Sequence, residues 1–263
     1  LRQTIINLAV RGKLVPQDPN DEPASKLLRK KMGLPSGYHR RRKIHKNSPV
    51  FAPERLFPSI PGSWEYTDIQ TLYELKAIID YGDGNHGSLY PRSSEFGDTD
   101  ITFVTAKDLA GGRVNWSGCA KLGQQRANQL TKGWAAGGDV LLTHNATVGR
   151  VARVEPEVGP FLLGTSVTFY RLNLDVLSAD FFYHMLMSQL WQGQLQAIME
   201  QTTRNQVSIQ KQALFRVAVP PLYEQHRITV KVDELMALCD ELEAQLTANW
   251  TARYQLLQST LQV

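Results

Sequence analysis

The feature that most constrains this chain is a proline pair followed directly by a long amphipathic stretch. Pro220 and Pro221 fit the start of a helix because they supply no backbone N–H, and Glu224 favours the positive end of the helix dipole. A helix over residues 222–261 would be about 58 Å long, nearly twice the diameter of a small domain, so it has to project. Its apolar residues alternate in spacings of four and three, the pattern of a coiled-coil seam: Ile228, Val232, Leu235, Cys239, Leu242 and Leu246.

This seam needs a packed partner, because six apolar residues at about 1.5–3 kcal/mol each are too many to leave in water. The opening residues, LRQTIINLAVRGKLV, are a candidate within the chain. They have the pattern of the last turns of a helix, with Leu1, Ile5 and Leu8 on one face and Gly12 placed to end it. Such a segment is too short to cover the whole seam, and the exposed remainder argues against a monomer at high concentration.

The chain divides into four parts: the end of a helix at 1–15, a basic linker with a short helix at 16–60, a globular domain at 61–220 and the long helix at 221–263. Two cysteines far apart in sequence, Cys119 and Cys239, indicate neither a disulfide framework nor a metal site. The sequence contains no signal peptide and no apolar run of 18 residues, which predicts a cytoplasmic protein without a membrane partner.

The globular part combines the patterns of strands and helices. An apolar face at helical spacing predicts a helix over 178–199 with Ser178 as its N-cap, and a shorter helix over 208–215 precedes a strand at 216–220. We therefore expect an α/β (α+β) domain with a mixed sheet, carrying the long C-terminal coiled-coil helix. Gly and Asp turns separate the other predicted strands, which lie at 101–105, 139–143, 148–154 and 165–172.

A basic stretch supplies the whole positive excess of the chain. The net charge is +4, yet Lys26 to Lys46 contains nine Lys and Arg residues and no acid, so the remainder is net acidic. Neutralising phosphates gives affinity and salt dependence without sequence choice. A solvated linker that happens to be basic is the alternative. The candidate phosphate contacts are Lys30, Lys31, Arg40, Arg41, Arg42 and Lys43.

Several segments together resemble one known family. These are VPPLYEQHRI at 219–228, VDELMALCDELE at 232–243, TTRNQ at 202–206, GGDVLLTHNATVGRVARV at 137–154 and FVTAKDL at 103–109. They are similar to the specificity subunit of bacterial type I restriction-modification systems. The opening LRQTIINL also resembles the closing LLQSTLQV, and the chain lacks an initiator Met, so we interpret it as a half-subunit or fragment carrying one target recognition domain plus a conserved helical region.

The resemblance implies a subunit that binds double-stranded DNA and has no active site of its own. In this family two recognition domains are held apart by an antiparallel pair of long helices, supplied by a second repeat or by a homodimer. A methyltransferase subunit docks on this assembly and restriction subunits join afterwards. S-adenosylmethionine, ATP and Mg²⁺ would belong to those partners, with no cofactor and no metal in this chain. The location would be the bacterial or archaeal cytoplasm, associated with the nucleoid.

The candidate DNA-binding residues lie in the segments that carry the resemblance and in the middle of the domain. Asn and Gln can pair with adenine edges, and Arg can pair with guanine or phosphate. Some of these positions have a structural alternative. Asn145 fits the turn of a hairpin, His144 fits a structural position, and the 202–206 loop fits the shared framework of the domain. The candidates are Arg92, Ser94, Lys107, Arg113, His144, Asn145, Arg150, Arg204, Asn205 and Gln206.

Two functions from other classes remain open at this stage. A helical scaffold for protein partners would also use the seam but would not bind DNA. A metal-dependent nuclease could use Asp68, Glu74 and Lys76, whose spacing is that of an acid pair with a lysine. The sequence has no P-loop motif, so ATP-driven translocation is not expected of this chain.

Overall fold

The computed structural model describes residues 1–31, 56–202 and 205–260, which form a mixed α/β body with a long C-terminal helix. Its helices are α1 (Arg2–Ala9), α2 (Ala24–Lys31), α3 (Ile69–Glu74), α4 (Gln124–Ala127), α5 (Ala179–Met187), α6 (Gln189–Met199), α7 (Ile209–Gln212) and α8 (Leu222–Thr260). Its strands are β1 (Glu65–Asp68), β2 (Ile78–Asp83), β3 (Phe96–Val104), β4 (Leu109–Ala110), β5 (Arg113–Val114), β6 (Ala120–Leu122), β7 (Trp134–Ala135), β8 (Val140–Thr143), β9 (Val151–Arg153), β10 (Phe161–Leu163), β11 (Val167–Leu172) and β12 (Arg216–Val219).

Two four-stranded sheets organise the domain. The first has the order β2-β11-β8-β9 with antiparallel neighbours, and the second has the order β6-β3-β10-β7, in which β3 and β10 run parallel. The parallel pair makes the second sheet mixed, which confirms the predicted fold class. Strand β1 pairs with β12, so the start of the domain lies beside the strand that leads into α8.

The main core lies between the first sheet and the helices α5 and α6. Tyr170 of β11 is fully buried, and its ring meets Phe182 at 5.3 Å and Trp191 at 6.2 Å between centroids. Trp191 also packs edge-on against Phe215, at 4.9 Å. Burying each such side chain contributes about 1.5–3 kcal/mol, which fixes the two helices on one face of the sheet.

The continuous helix predicted over 178–199 is wrong at one residue. Ser178 caps α5 as predicted, by accepting from the Phe181 N–H. The chain then breaks at Ser188, whose backbone is extended with φ −73° and ψ 159°. The Ser188 hydroxyl donates to the Met185 carbonyl at 2.6 Å, a local bond that competes with helix continuation. The apolar pattern is kept across the break, so periodicity alone could not reveal it.

The long helix begins at Leu222, as the proline pair predicts, and its seam divides into two parts. Ile228 and Val232 are fully buried and Cys239 is 4% exposed, whereas Leu242 is 51% and Leu246 68% exposed. Leu235 is half-buried. The first part is covered by the domain and by α1; the second has no cover among the described residues.

Helix α1 packs on α8, but its buried face is rotated by about one residue from the predicted face of Leu1, Ile5 and Leu8. Its buried residues are Ile5, Ile6 and Ala9, whereas Leu1 is 78% exposed. Gly12 ends this segment as predicted, with a φ of +66°. The Arg2 guanidinium marks the far limit of the packing, because it pairs with Asp240 at 2.6 Å and Glu243 at 2.9 Å. The helix α8 continues well past that limit.

Candidate nucleic-acid interface

Strand direction brings several loops to one end of the two sheets. β2 and β8 both run antiparallel to β11, so the ends of β2 and β8 lie beside the start of β11. β3 and β10 finish at the same place, where the Gly164 N–H donates to the Val104 carbonyl at 2.8 Å. We name this region the loop end. It consists of residues 84–86, 105–108, 144–150, 164–166 and 205–206.

The loop end joins two of the segments singled out from sequence. Asn145 forms an isolated antiparallel bridge with Gln206, the Ala146 N–H donates to the Asn205 carbonyl at 2.9 Å, and the Val207 N–H donates to His144 at 2.9 Å. The Asn145 side chain is half-buried, and those of Asn205 and Gln206 are exposed. Backbone pairing therefore brings together two segments that carry three amide residues and lie about sixty residues apart in sequence. Arg204 lies outside the described residues.

His144 is turned into the body, as the alternative structural role for this residue implies. It is 2% exposed, and its Nδ1 shares a hydrogen bond with the Thr168 hydroxyl at 2.9 Å. Burial lowers the pKa of His144, with the charge of Asp83 acting in the opposite direction. The buried imidazole, bonded to Thr168 of β11, links the end of β8 to β11.

Three exposed cations lie on adjoining segments at or beside the loop end. Lys107 lies in the 3₁₀ turn Ala106–Asp108, which Thr105 caps by bonds to the Asp108 carboxylate at 2.8 Å. Arg150 donates to the Leu109 carbonyl at 3.3 Å, at the base of the β4–β5 hairpin. Arg113 lies on that hairpin just after its turn. Lys107 and Arg113 thus lie on consecutive elements of the chain, and the hydrogen bond from Arg150 to Leu109 places Arg150 beside them.

The hairpin that carries Arg113 is held at its turn. Gly111 and Gly112 have φ values of +58° and +80°, the positive signs that a type I′ turn requires at both central residues. The Gly112 carbonyl accepts from the Arg153 N–H at 3.0 Å, so the turn is fastened to the edge strand β9. This attachment gives the hairpin a fixed position relative to the loop end.

Arg92 and Ser94 lie elsewhere. Both are exposed in the segment before β3, whereas Lys107 follows that strand. Phe96 and Ile101 both lie opposite Leu122, so the segment with Arg92 and Ser94 adjoins the start of the paired part of β3, whereas Lys107 follows its end at Val104. Glu95, beside them, pairs with Arg126 at 2.7 Å and accepts from the Arg92 N–H at 2.6 Å. The structure thus brings neither residue to the loop end.

The basic stretch begins in α2. Lys30 is exposed near the end of α2, and Lys31 is the last residue of that helix. Arg40, Arg41, Arg42 and Lys43 lie outside the described residues. Their prediction as phosphate contacts stays a prediction.

Asp139, the first residue of the strand predicted over 139–143, has a structural role. It is 1% exposed, accepts from the Ala136 N–H at 2.8 Å, and receives Arg171 at 2.8 and 3.0 Å in a two-pronged pair. Burial raises the pKa of Asp139, and the bonds from Arg171 oppose that rise. The pair ties the start of β8 to β11 and so supports the strand that leads to Asn145.

The residues of the nuclease alternative have structural positions instead. Asp68 caps α3 by accepting from the Thr71 N–H at 2.7 Å, Glu74 is the last residue of that helix, and the Lys76 ammonium lies 5.0 Å from the centre of the Tyr73 ring. In the part of the chain that the structure describes, no group of three or more His, Cys, Asp or Glu side chains could hold a metal ion. Nor is any described helix long and apolar enough to span a bilayer.

This fold belongs to a DNA specificity domain. Residues 71–249 match the family model described as the type I restriction modification DNA specificity domain. The chain therefore belongs to this family.

Individual relatives agree with that assignment. The chain is 27% identical to the type I restriction enzyme EcoAI specificity subunit and 28% identical to the EcoEI specificity subunit, both of Escherichia coli. The two alignments cover 99% of this chain and 43% of each relative, so the chain spans less than half their length.

Solved structures share the fold. A chain from a type I R-M system, described for its complex assembly and conformational transition, superposes with a TM-score of 0.56 at 18% identity, covering 75% of this chain and 44% of its own length. The HsdS subunit from Thermoanaerobacter tengcongensis gives a TM-score of 0.53 at 17% identity, covering 72% of this chain and 41% of that one.

Proposed function

We propose that this chain recognises one half of a bipartite DNA target as the non-catalytic specificity component of a type I restriction-modification enzyme. The observation that carries the proposal is that Lys107, Arg150 and three amide residues lie at the loop end, with Arg113 on the hairpin beside it, in a chain of the DNA specificity domain family. Lys107, Arg113 and Arg150 suit phosphates, which fix position and make affinity salt-dependent. Asn145, Asn205 and Gln206 suit adenine edges, where a bidentate contact discriminates by about 1–3 kcal/mol.

The uncovered part of α8 supports the proposed assembly. Leu242 and Leu246 continue a seam whose earlier residues are buried, so they suit a second long helix from another repeat or another copy. Two such domains would then read two half-sites separated by a gap. The 39-residue helix limits this gap to about 17 base pairs, because that many base pairs have the length of the helix. In the same proposal a methyltransferase subunit docks on this assembly and restriction subunits join afterwards; the relatives are named as specificity subunits of type I restriction enzymes.

Catalysis would belong to those partners in this proposal. S-adenosylmethionine, ATP and Mg²⁺ would bind to the methyltransferase and restriction subunits, and this chain would supply DNA recognition and docking surfaces. The cytoplasmic, nucleoid-associated location expected from the sequence belongs to the same proposal.

The test is selection from a randomised duplex pool by the chain co-expressed with the methyltransferase subunit of its own locus. We expect enrichment of one short motif, or of its two-fold repeat with a fixed gap. Methyltransferase binding without a motif would instead support the scaffold alternative, and binding to neither would overturn the proposed function.

Variants of the loop end sharpen this experiment. Gln206→Ala should relax the choice of base at one position, by about 1–3 kcal/mol. Lys107→Ala should weaken binding to all sequences equally and reduce the salt dependence by about one counterion. Lys13→Ala is the matched control, because Lys13 is exposed outside the loop end, and it should leave both properties unchanged.

A further inference from the structure

The first turn of α8 is fastened to the body by buried polar side chains rather than by apolar packing alone. Glu224 is 1% exposed, and its carboxylate accepts from the Trp64 indole N–H at 2.9 Å and from the Gln17 amide. Gln17 in turn accepts from the Ser63 hydroxyl at 3.0 Å. One carboxylate thereby joins three separate segments: the residues after α1 that contain Gln17, the start of the domain at Trp64 and the start of the long helix.

Two neighbours of Glu224 make comparable bonds in other directions. Gln225 is fully buried, accepts from the Ser178 N–H at 2.7 Å and donates to the Val176 carbonyl at 3.1 Å. Arg227 pairs with Asp21 at 2.6 and 3.3 Å, and Asp21 is 8% exposed. At about 100° per residue, the three α8 side chains span roughly 160° of the helix circumference. A rotation or tilt of a helix held over that arc strains at least one of these bonds.

Stability alone does not account for this arrangement. Removing a carboxylate from water costs free energy, and burial raises the pKa of Glu224 against the bonds from Gln17 and Trp64. Apolar contacts such as those of Ile228 tolerate small rotations because hydrophobic attraction has no direction. Buried hydrogen bonds have defined distances and angles, and they therefore select one orientation.

Small angles at this turn have large effects at the far end. A tilt of 10° at the start of a helix about 58 Å long moves its far end by about 10 Å, the length of about three base pairs. A gap changed by one base pair also rotates one half-site by about 35° about the DNA axis. The direction in which α8 leaves the domain therefore bears on which gap two domains can bridge.

We infer that Glu224, Gln225 and Arg227 are positioning residues that set the gap between the two half-sites by fixing the direction of α8. This inference rests on the proposed function. It assigns a role to the EQHR sequence at 224–227, where Glu224, Gln225 and Arg227 bond to residues outside the loop end. Loss of the bonds would leave each half-site readable but would blur the spacing between them.

The experiment measures gap choice and helix direction in the same variants. Glu224→Ala and Gln225→Ala are compared with unmodified chain, with Glu224→Gln as the conservative replacement and Glu241→Ala as a control at an exposed position of α8. The chain with its methyltransferase subunit is given duplexes carrying the selected motif at every gap from short to long. Spin labels at Lys121→Cys and Asn249→Cys, in a Cys119→Ser, Cys239→Ala background, report the distance distribution between domain and helix.

We expect both alanine variants to retain affinity for a single motif. Their preference for the best gap over one a base pair longer should fall by about threefold or more, because the rotation of one half-site is then tolerated. Their distance distributions should broaden, while Glu224→Gln and Glu241→Ala behave as the unmodified chain. Should Glu224→Ala fail to fold, Arg227→Ala takes its place, since its side chain is 37% exposed.

Unchanged gap preference and unchanged distribution width in the variants would overturn the inference. If the unmodified chain enriches no motif at all, the proposed function fails instead. The spin-label widths then decide whether these residues fix the helix, and equal widths in all variants overturn that as well.

Discussion

His184 is a buried imidazole in α5 whose two ring nitrogens have no hydrogen-bond partner among the described residues. Burial and the charge of Arg153 hold its pKa at about 4, below the usual 6.5. Because the folded state resists protonation, the contribution of His184 to the free energy of unfolding is complete above pH 6.5 and is lost as the pH falls towards 4. The unmodified chain should lose about 2–3 kcal/mol of its free energy of unfolding between pH 7 and pH 4.5 through His184, and His184→Leu should abolish this loss. Urea unfolding at both pH values measures it.

The control for that prediction is His226→Leu. His226 is exposed on α8, so the same replacement there removes an imidazole without changing the core. Equal pH dependence in His184→Leu and the unmodified chain would contradict the argument from burial.

The pair of Asp139 and Arg171 makes a second prediction about single side chains. Asp139→Asn removes the charge but keeps the shape. The amide has one acceptor oxygen in place of two, so Arg171 and the Ala136 N–H lose part of their hydrogen bonding. We expect a loss of about 1–3 kcal/mol in the free energy of unfolding. Asp80→Asn, at an exposed position whose charge acts on the same pair, should change it by less than about 0.5 kcal/mol. Equal losses would show that net charge, and not the buried bonds, is responsible.

Helices and strands that are set by local pattern could be predicted from the sequence, whereas their tertiary bonds could not. The start of α8 follows from Pro220 and Pro221, and β8 and β11 follow from apolar runs between turns. The break at Ser188 depends on a bond to Met185 that no periodicity records. The sequence predicts a mixed sheet but does not indicate which strands run parallel, because β3 and β10 are distant in sequence.

The candidate site shows the same division. The chemistry of Asn145, Asn205 and Gln206 could be recognised from their residue types, but their meeting depends on the strand order of the first sheet. The inward turn of His144 depends on Thr168, a residue of another strand. Arg92 and Arg113 both lie in the middle of the domain sequence, which predicts a shared role in DNA binding. In the structure Arg92 precedes β3, whereas Arg113 follows that strand.

The β4–β5 hairpin offers a prediction that links backbone strain to DNA binding. A Cβ at Gly112 would collide with the Tyr183 hydroxyl, while a Cβ at Gly111 would meet nothing within 4 Å. Both glycines have positive φ, so alanine at either costs about 1–2 kcal/mol of strain, and the collision at Gly112 adds to it. Gly112→Ala should therefore move the hairpin and weaken binding to the selected duplex, measured by fluorescence anisotropy.

Gly111→Ala is the matched control for that prediction. It shares the strain without the collision, so its affinity should stay close to that of the unmodified chain. An equal loss of affinity in both variants would mean that turn strain, not displacement of Arg113, governs binding.

The molecule as a whole is built around one helix that serves two environments. The same seam of α8 contributes Ile228 to the core of the domain and presents Leu246 to solvent. Helix α1 reaches only as far as Asp240 and Glu243, so the boundary between the two environments is set by where its Arg2 lies. Folding of the domain and pairing of long helices should therefore depend on different residues of one continuous seam.

Matched truncations at the two ends of the seam separate these roles. Ile228→Ala removes fully buried methyl groups and should lower the free energy of unfolding by about 2–5 kcal/mol. Leu246→Ala, at a side chain that is 68% exposed, should lower it by less than about 0.5 kcal/mol and should instead weaken association, measured by sedimentation equilibrium over a range of concentrations. Equal destabilisation by the two variants, or association unaffected by Leu246→Ala, would contradict a divided seam. A long helix whose near end folds with the domain and whose far end stays available is what a spacer between two recognition domains requires.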